Sequence, residues 1–338
     1  MLLALLFPLI PVLSAQPAPF ATQSRLVLVP VTVADTKGRS IDGLEADAFT
    51  LYDNGQRRDV TVDTIGTGVA PLALVVAVQA AGISQPVLDK VGKIGAMIQP
   101  LLSGERGCAA LLAFAEDLRW LSECTRDANQ ITRAFQNIAP GAPKTARLLD
   151  AVSAAADRLR SLPNRRRVLL LISESRDRGS ESELQPVIQD LLAEGISVYA
   201  ANYSAFKTAF TTRTPKEQKP VPPDPRRPPP GNDLESRNGA PPGMGAPVDI
   251  LGGFGELFRL GSVNTTEALT KATGGAVYSF ARLKGLEEAI QKLAAEVHSQ
   301  YLLSFAPPSD PQPGFHSLRV DVKAAAAIVR ARPGYWVR

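Results

Sequence analysis

The feature that most limits the fold of this chain is a run of seven apolar residues, LALVVAV, at Leu72–Val78. An apolar run of this length that ends in a glycine-bearing loop is typical of a strand buried on both faces, as in the interior of a parallel sheet. Ligands of open parallel sheets bind at the loops that follow the carboxyl ends of the strands. Here that loop is Gln79–Ser84, and it contains neither a charged side chain nor a phosphate-binding glycine pattern.

Strand and helix patterns alternate through the centre of the chain. Two further apolar runs, Arg167–Ser173 and Ile196–Ala201, are separated from the first by segments with helical periodicity. This order predicts an α/β unit at 70–298, with a doubly wound, mostly parallel sheet and helices on both faces. A stretch rich in Pro and Gly at 213–247 interrupts the unit and predicts a disordered insertion.

Both ends of the chain have strand patterns. The N-terminal segment, 25–66, alternates apolar and polar residues, and its Asn54-Gly55 pair predicts a hairpin turn. The C-terminal segment, 299–338, contains similar short runs. Because each segment has too few strands to form a core alone, we expect the two to pair in one β-sandwich.

The first 15 residues resemble a secretory signal peptide, with an apolar run that ends in the small residues Ser14 and Ala15. No Lys or Arg precedes this run, so either the true start lies upstream of Met1 or the signal is atypical. We expect cleavage after Ala15 and an exported protein, periplasmic or secreted, in which no other segment is apolar enough to span a bilayer.

The charge pattern gives little indication of a partner. The net charge is +4, which is too small to indicate nucleic acid binding. The basic triplet Arg165–Arg167 precedes an apolar run, and we interpret it as a solvated loop rather than as a binding patch.

Two cysteines, Cys108 and Cys124, flank a probable hairpin whose turn is centred near Glu116. This register places the cysteines opposite each other, and in an exported protein the simplest outcome is one disulfide. The alternative is a pair of buried free thiols.

The order of these elements resembles that of a von Willebrand factor A-like domain. The matching stretches are PLALVVAVQAAGIS, the hairpin FAEDLRWLSECTRD, ARLLDAV and RVLLLISESRDRGS. The flanks resemble a bacterial exported subgroup that carries this domain at its centre, through LVLVPVTVADTKGRSIDGLEADAFTLYDNGQ, LTKATGGAVYSF, QYLLSFAPP and VRARPGYW. The resemblance covers nearly all of residues 25–338 apart from the insertion.

The resemblance implies a divalent-cation site, the metal-ion-dependent adhesion site, but this chain departs from its pattern. The family pattern has Asp-x-Ser-x-Ser in the first loop, Thr in a second and Asp in a third. The matching positions here are Gln79, Ala81, Ile83, Ala146 (with Thr145 one residue away) and Glu174. A hard cation takes about six oxygen ligands, and several of these side chains cannot supply one. We therefore expect a degenerate site with no metal and no other cofactor.

The loops around these positions form the candidate binding face. We assign to it Gln79, Gly82, Ser84, Thr145, Glu174 and Asp177.

The sequence contains no recognisable catalytic constellation. The two histidines, His298 and His316, do not adjoin a nucleophile motif. Glu174 and Asp177 lie among arginines, and we interpret them as a solvated ion-pair cluster rather than as paired catalytic carboxylates.

The resemblance, together with the lack of a recognisable catalytic constellation, implies a non-enzymatic module that binds a protein or a surface polymer outside the cytoplasm without a cation. A structural or assembly subunit of an envelope complex is the alternative, and a hydrolase is a third possibility. We expect no nucleic acid partner.

Overall fold

The computed structural model describes residues 26–63, 71–81, 88, 91, 95–98, 107–141, 145–162, 165–203 and 264–338. The predicted signal peptide, the predicted insertion and the loop residues Gly82, Ile83 and Ser84 lie outside the described residues.

A six-stranded sheet forms the centre of the described structure. Its strands are β5 (Leu72–Gln79), β6 (Cys108–Phe114), β7 (Leu118–Thr125), β8 (Arg166–Ser173), β9 (Ile196–Tyr203) and β10 (Val277–Phe280). Their order is β10-β9-β8-β5-β6-β7, and all neighbours are parallel except β6 and β7, which form an antiparallel hairpin. The three apolar runs form the interior strands β5, β8 and β9, so the predicted doubly wound sheet is confirmed.

Helices cover both faces of this sheet. They are α1 (Gly95–Ile98), α2 (Ala128–Gln136), α3 (Leu148–Arg160), α4 (Leu184–Ala193), α5 (Thr265–Thr273) and α6 (Leu283–Ser299). Residues of α1, α2 and α6 pack on one face, and residues of α3, α4 and α5 pack on the other. Alternate residues of β5 enter the two cores, which is why the whole strand is apolar.

The two ends of the chain form two further four-stranded sheets, which we call the terminal sheets. Their strands are β1 (Val27–Ala34), β2 (Phe49–Asp53), β3 (Gln56–Arg58), β4 (Thr61–Asp63), β11 (Tyr301–Phe305), β12 (Gly314–Val322), β13 (Ile328–Ala331) and β14 (Gly334–Val337), with a short 3-10 helix at Ala46–Ala48. The sheet orders are β13-β1-β11-β4 and β14-β12-β2-β3.

Each terminal sheet combines strands from both ends of the chain. Strand β1 pairs with β11 and β13, and β2 pairs with β12. The sheets share one apolar cluster, in which Val29, Leu51 and Leu303 are fully buried. The predicted pairing of the two ends is therefore confirmed, because neither end could enclose this cluster alone.

A disulfide joins Cys108 of β6 to Cys124 of β7, with a Cα–Cα distance of 5.2 Å. It confirms the predicted pairing. The bond holds the edge strand β7 to the sheet at a place where the β6–β7 register is irregular.

A polar network on α6 connects the central sheet to a terminal sheet. Glu296 accepts hydrogen bonds from the hydroxyls of Tyr199 (2.8 Å) and Tyr278 (2.9 Å) on the central sheet. The same carboxylate forms an ion pair with Arg330 of β13 and accepts a 3.4 Å hydrogen bond from Thr32 of β1. Four elements outside α6 are thus connected through one side chain.

Arg166 and Gln300 extend this network. The Arg166 guanidinium donates to Gln300 Oε1 (2.9 Å) and to the Val297 carbonyl at the end of α6 (3.1 Å). Gln300 Nε2 in turn lies within hydrogen-bond distance of the Tyr199 hydroxyl, at 2.8 Å. Because Arg166 is buried, the interpretation of Arg165–Arg167 as a solvated loop is wrong for its central residue.

We call the network formed by these side chains the joint network. Its members are Glu296, Tyr199, Tyr278, Arg330, Thr32, Gln300 and Arg166.

Candidate functional site

The loops that follow the central strands meet at one edge of the sheet, which we call the carboxyl edge. Gln79 is the last residue of β5, and Glu174 directly follows β8, the strand beside it. The order of connections along the sheet reverses between these two strands, and ligands of doubly wound sheets bind at such a point.

Gln79 and Glu174 bind each other at this edge. The Glu174 backbone N–H donates to Gln79 Oε1 (3.0 Å), and Gln79 Nε2 donates to Glu174 Oε2 (3.4 Å). The same carboxylate oxygen pairs with the Arg178 guanidinium. Gln79 and Glu174 are 1% and 7% exposed, so the interpretation of Glu174 as part of a solvated ion-pair cluster is wrong. The carboxylate is buried and matched with one cation of its own loop.

Thr145 lies on the loop before α3, with its methyl group close to Gly179 of the loop after β8. It is half-buried, and the next residue, Ala146, is buried. Ala146 forms two backbone hydrogen bonds with Arg178, of 3.0 and 2.9 Å, which join the loop before α3 to the loop after β8. Of the predicted candidate face, the structure thus brings Gln79, Thr145 and Glu174 to the same edge.

Asp177 lies on the loop after β8, and its carboxylate contacts the first turn of α3. Its carboxylate accepts hydrogen bonds from the Leu149 N–H (3.1 Å) and from the Ser180 hydroxyl (2.6 Å), and its own N–H donates to Thr265 at the start of α5 (3.2 Å). An acidic side chain that accepts from the first turn of a helix caps that helix. Asp177 therefore connects three elements.

Asp150, in the first turn of α3, binds the residues that follow Ser180 in the loop after β8. The N–H groups of Ser182 (2.8 Å) and Glu181 (3.1 Å) donate to its carboxylate, and so does Arg147 Nε (2.5 Å). Burial alone would raise the pKa of Asp150, but the hydrogen bonds from Ser182, Arg147 and Glu181 lower it to about 2. The first turn of α3 and the loop after β8 therefore hold each other in place through two carboxylates, those of Asp150 and Asp177.

A buried polar chain continues the carboxyl edge at β9. Asn202 Nδ2 donates to the hydroxyl of Thr266 (2.6 Å), which donates to the N-cap residue Asn264 (3.0 Å). Sequence analysis missed Asn202, Asp150 and the pairing of Arg178. For the pairing of Arg178 with Glu174, the only local signal in the sequence was the spacing of four residues between them.

Within the described ranges, no three His, Cys, Asp or Glu side chains form a group that could hold a metal ion. Among the helices that the structure describes, none has both the length and the apolar character needed to cross a bilayer.

The element order decides the fold. The chain runs from β5 through α1 to the β6–β7 hairpin, then through α2 and α3 to β8, and continues as α4, β9, α5, β10 and α6. This is the order that the sequence resemblance implied, with β7 as the antiparallel edge strand. The fold is von Willebrand factor A-like.

Comparisons with known proteins were made for both sequence and structure. No protein-family model matches the sequence, and no curated protein matches it. Among solved structures, the chain is similar to the conserved hypothetical protein BatB from Bacteroides thetaiotaomicron, with 15% identity and a TM-score of 0.41 over 66% of this chain and 98% of that chain.

Two other similar structures come from different sources. Proximal thread matrix protein 1 from the mussel byssus shows 10% identity and a TM-score of 0.45, over 72% of this chain and 49% of that chain. The VWA domain of SpRpn10 shows 10% identity and a TM-score of 0.38, over 66% and 95%. At these identities the likeness is one of fold, and the fold assignment rests on the element order.

Proposed function

We propose that this protein is a non-enzymatic binding module that acts outside the cytoplasm. In this proposal, the loops of the carboxyl edge bind another protein or a surface polymer directly, without a bound cation.

The observation that carries the proposal is the arrangement of Gln79, Glu174 and Arg178. A divalent cation at this edge would need carboxylate oxygens with free lone pairs. Among the described residues, the carboxylate that binds Gln79 is that of Glu174, which is already paired with the Arg178 guanidinium, and the Gln79 amide uses both of its ends on Glu174. The neighbouring Ala81 has no side-chain oxygen, so the described residues do not fit a hard cation.

The loops also have the rigidity that direct binding requires. Because Asp177 and Asp150 hold the loop after β8 to the first turn of α3, and Ala146 binds Arg178 across the two loops, binding costs little ordering entropy there. Part of Arg178 remains available, since 38% of its side chain is exposed. This guanidinium would supply positive charge at the edge in place of a metal ion.

The disulfide supports the extracytoplasmic part of the proposal. Stable disulfides are typical of oxidising compartments and are rare in the cytosol. The bond between Cys108 and Cys124 and the signal-like first 15 residues point to the same location.

A thermal-shift titration tests the independence from metal. A ligand at 100 times its dissociation constant stabilises a protein by about 2.7 kcal/mol, so bound Mg²⁺ or Mn²⁺ would raise the melting temperature measurably. We expect no rise at millimolar concentrations. A rise that Glu174→Ala abolishes would contradict the proposal.

A capture experiment tests the binding face. The mature protein is used as bait on envelope extract, in buffers with Mg²⁺ or with a chelator. We expect the same partner in both buffers, its loss with Thr145→Arg and its retention with Glu288→Arg, a larger change of charge at an exposed position of α6. If the Thr145 variant still captured the partner, the binding face would lie elsewhere. Turnover of generic ester, phosphate or peptide substrates by the purified protein would contradict the proposal that it is not an enzyme.

A further inference from the structure

A cavity of about 360 Å³ lies where a terminal sheet meets the last turn of α6. Its lining residues are Asp42, Gly43, Ala295, His298, Ser299, Gln300 and Tyr301. Arg166, the first residue of β8, contacts Gln300 and the Val297 carbonyl, so the cavity lies toward the amino ends of the central strands. It is therefore separate from the candidate face at the carboxyl edge.

One wall of the cavity is a loop that two side chains hold in place. The Tyr301 hydroxyl donates to the Ile41 carbonyl (2.8 Å) and accepts from the Leu44 N–H (3.0 Å). Ser40 and Ser299 form a further hydrogen bond of 2.8 Å between their hydroxyls. The two residues between Ile41 and Leu44 are thus held at the cavity from both sides.

Those two residues are Asp42 and Gly43. Gly43 has φ +79°, a left-handed conformation that allows the tight turn and that other residues adopt at a cost. Asp42 is exposed, and its carboxylate forms no hydrogen bond or ion pair with any residue in the described ranges. A fixed loop therefore presents a carboxylate whose charge is not neutralised.

The opposite wall is the carboxyl end of α6, a helix of 17 residues, and it includes the basic residue His298. The end of a helix carries a partial negative charge from its carbonyl groups, and one of them here, that of Val297, already accepts from Arg166. The exposed Ala295 of the last turn adds little bulk, which leaves room beside it. The pKa of Tyr301 is raised by burial and also by the charge of Asp42, which indicates that this carboxylate lies near the hydroxyl.

We propose that this cavity binds a primary ammonium group, carried either by a free amine or by a lysine side chain of a partner. Asp42 is the counter-ion.

Chemical-shift perturbation on the full mature chain tests the site. The probes are cadaverine, N-acetyl-lysine methylamide and the uncharged N-acetyl-norleucine methylamide, at low ionic strength to limit screening. We expect both amines to shift the backbone amides of Gly43, Ser299 and Tyr301, and the norleucine compound to leave them unchanged. Saturation by cadaverine alone assigns the site to free amines, and stronger binding of the lysine compound assigns it to a side chain.

A pair of variants provides the control. Asp42→Asn should weaken amine binding roughly tenfold, which is the contribution of a charge-assisted hydrogen bond. Asp47→Asn removes the same charge from an exposed position outside the cavity and should leave the affinity unchanged. Equal shifts with the norleucine compound, full affinity in Asp42→Asn, or no shift with any probe would each overturn the proposal.

Discussion

Replacement of Glu296 by alanine should loosen the contact between the terminal sheets and the central sheet. The carboxylate accepts hydrogen bonds from Tyr199 and Tyr278 and pairs with Arg330. The alanine variant removes these three contacts and the weaker hydrogen bond from Thr32 at once. Tyr199 is completely buried, so its hydroxyl cannot replace the lost partner with bulk water and keeps only Gln300.

The expected loss in the free energy of unfolding follows from these contacts. Removing one member of a buried ion pair costs roughly 3–5 kcal/mol, but the Arg330 side chain is 35% exposed and can be hydrated after the change. Each tyrosine hydrogen bond to a charged acceptor contributes roughly 1.5–3 kcal/mol. The terms share one carboxylate and do not add, so we expect a total of about 2–4 kcal/mol.

Urea unfolding of the mature protein measures this loss through the midpoint and the slope. Glu288→Ala is the control, because it removes the same side chain from an exposed position of the same helix and should change stability by less than about 0.5 kcal/mol. A loss for Glu296→Ala no larger than that of the control would refute the role given to the joint network.

A pH series adds a second measurement of the same network. The pKa of Tyr199 is raised by burial and by the charge of Glu296. A tyrosine with a raised pKa in the folded state stabilises the protein fully below about pH 10 and loses that contribution as the pH rises further. Stability should therefore fall above this pH, and less steeply in Glu296→Ala. Equal slopes in the two proteins would count against the coupling.

Three further predictions concern other parts of the chain. Alkylation without prior reduction should modify neither cysteine, and replacing both with serine should cost roughly 3 kcal/mol; two alkylated thiols by intact mass would contradict the disulfide. The pKa of Asp150 is lowered from 3.8 to about 2, so its stabilising contribution should be lost as the pH falls through this range. Asp150→Asn should remove that acid-dependent loss and cost about 1–2 kcal/mol at neutral pH, whereas the more exposed Asp157→Asn should not, and an unchanged acid profile would argue against the cap. Deleting 299–338 should make β1 and β2 sensitive to protease while deleting 213–247 should not, and a resistant N-terminal segment in the first variant would show that the two ends do not depend on each other.

The local sequence contained enough information for the elements of the fold. Leu72–Val78 is apolar on both faces because both faces of β5 are covered, so its position inside a parallel sheet could be predicted. The Asn54-Gly55 turn could be predicted for a similar reason, since both residues adopt positive φ, 49° and 79°. In these cases the determining interactions lie within a few residues of each other.

The polar contacts could be predicted far less well. Arg166 reads as one member of a basic triplet, yet it is buried because its acceptors lie on the carboxyl end of α6, more than a hundred residues later. Asp177 reads as part of the binding face, and the structure places its oxygens on the first turn of α3. The topology of the fold brings such hydrogen-bond partners together. The distances between side chains that lie far apart in the chain cannot be derived from a single sequence.

The pairing of β1 with β11 and β13 has a consequence for how the molecule is made. Val27 lies opposite Phe305, and Val31 lies opposite Ala331, so β1 pairs with strands that lie far later in the chain. The central α/β unit has its strand partners within its own part of the chain and can become ordered first. Strand β1 stays without these partners until β11 and β13 are available to it, so the terminal sheets are the slow, long-range part of folding.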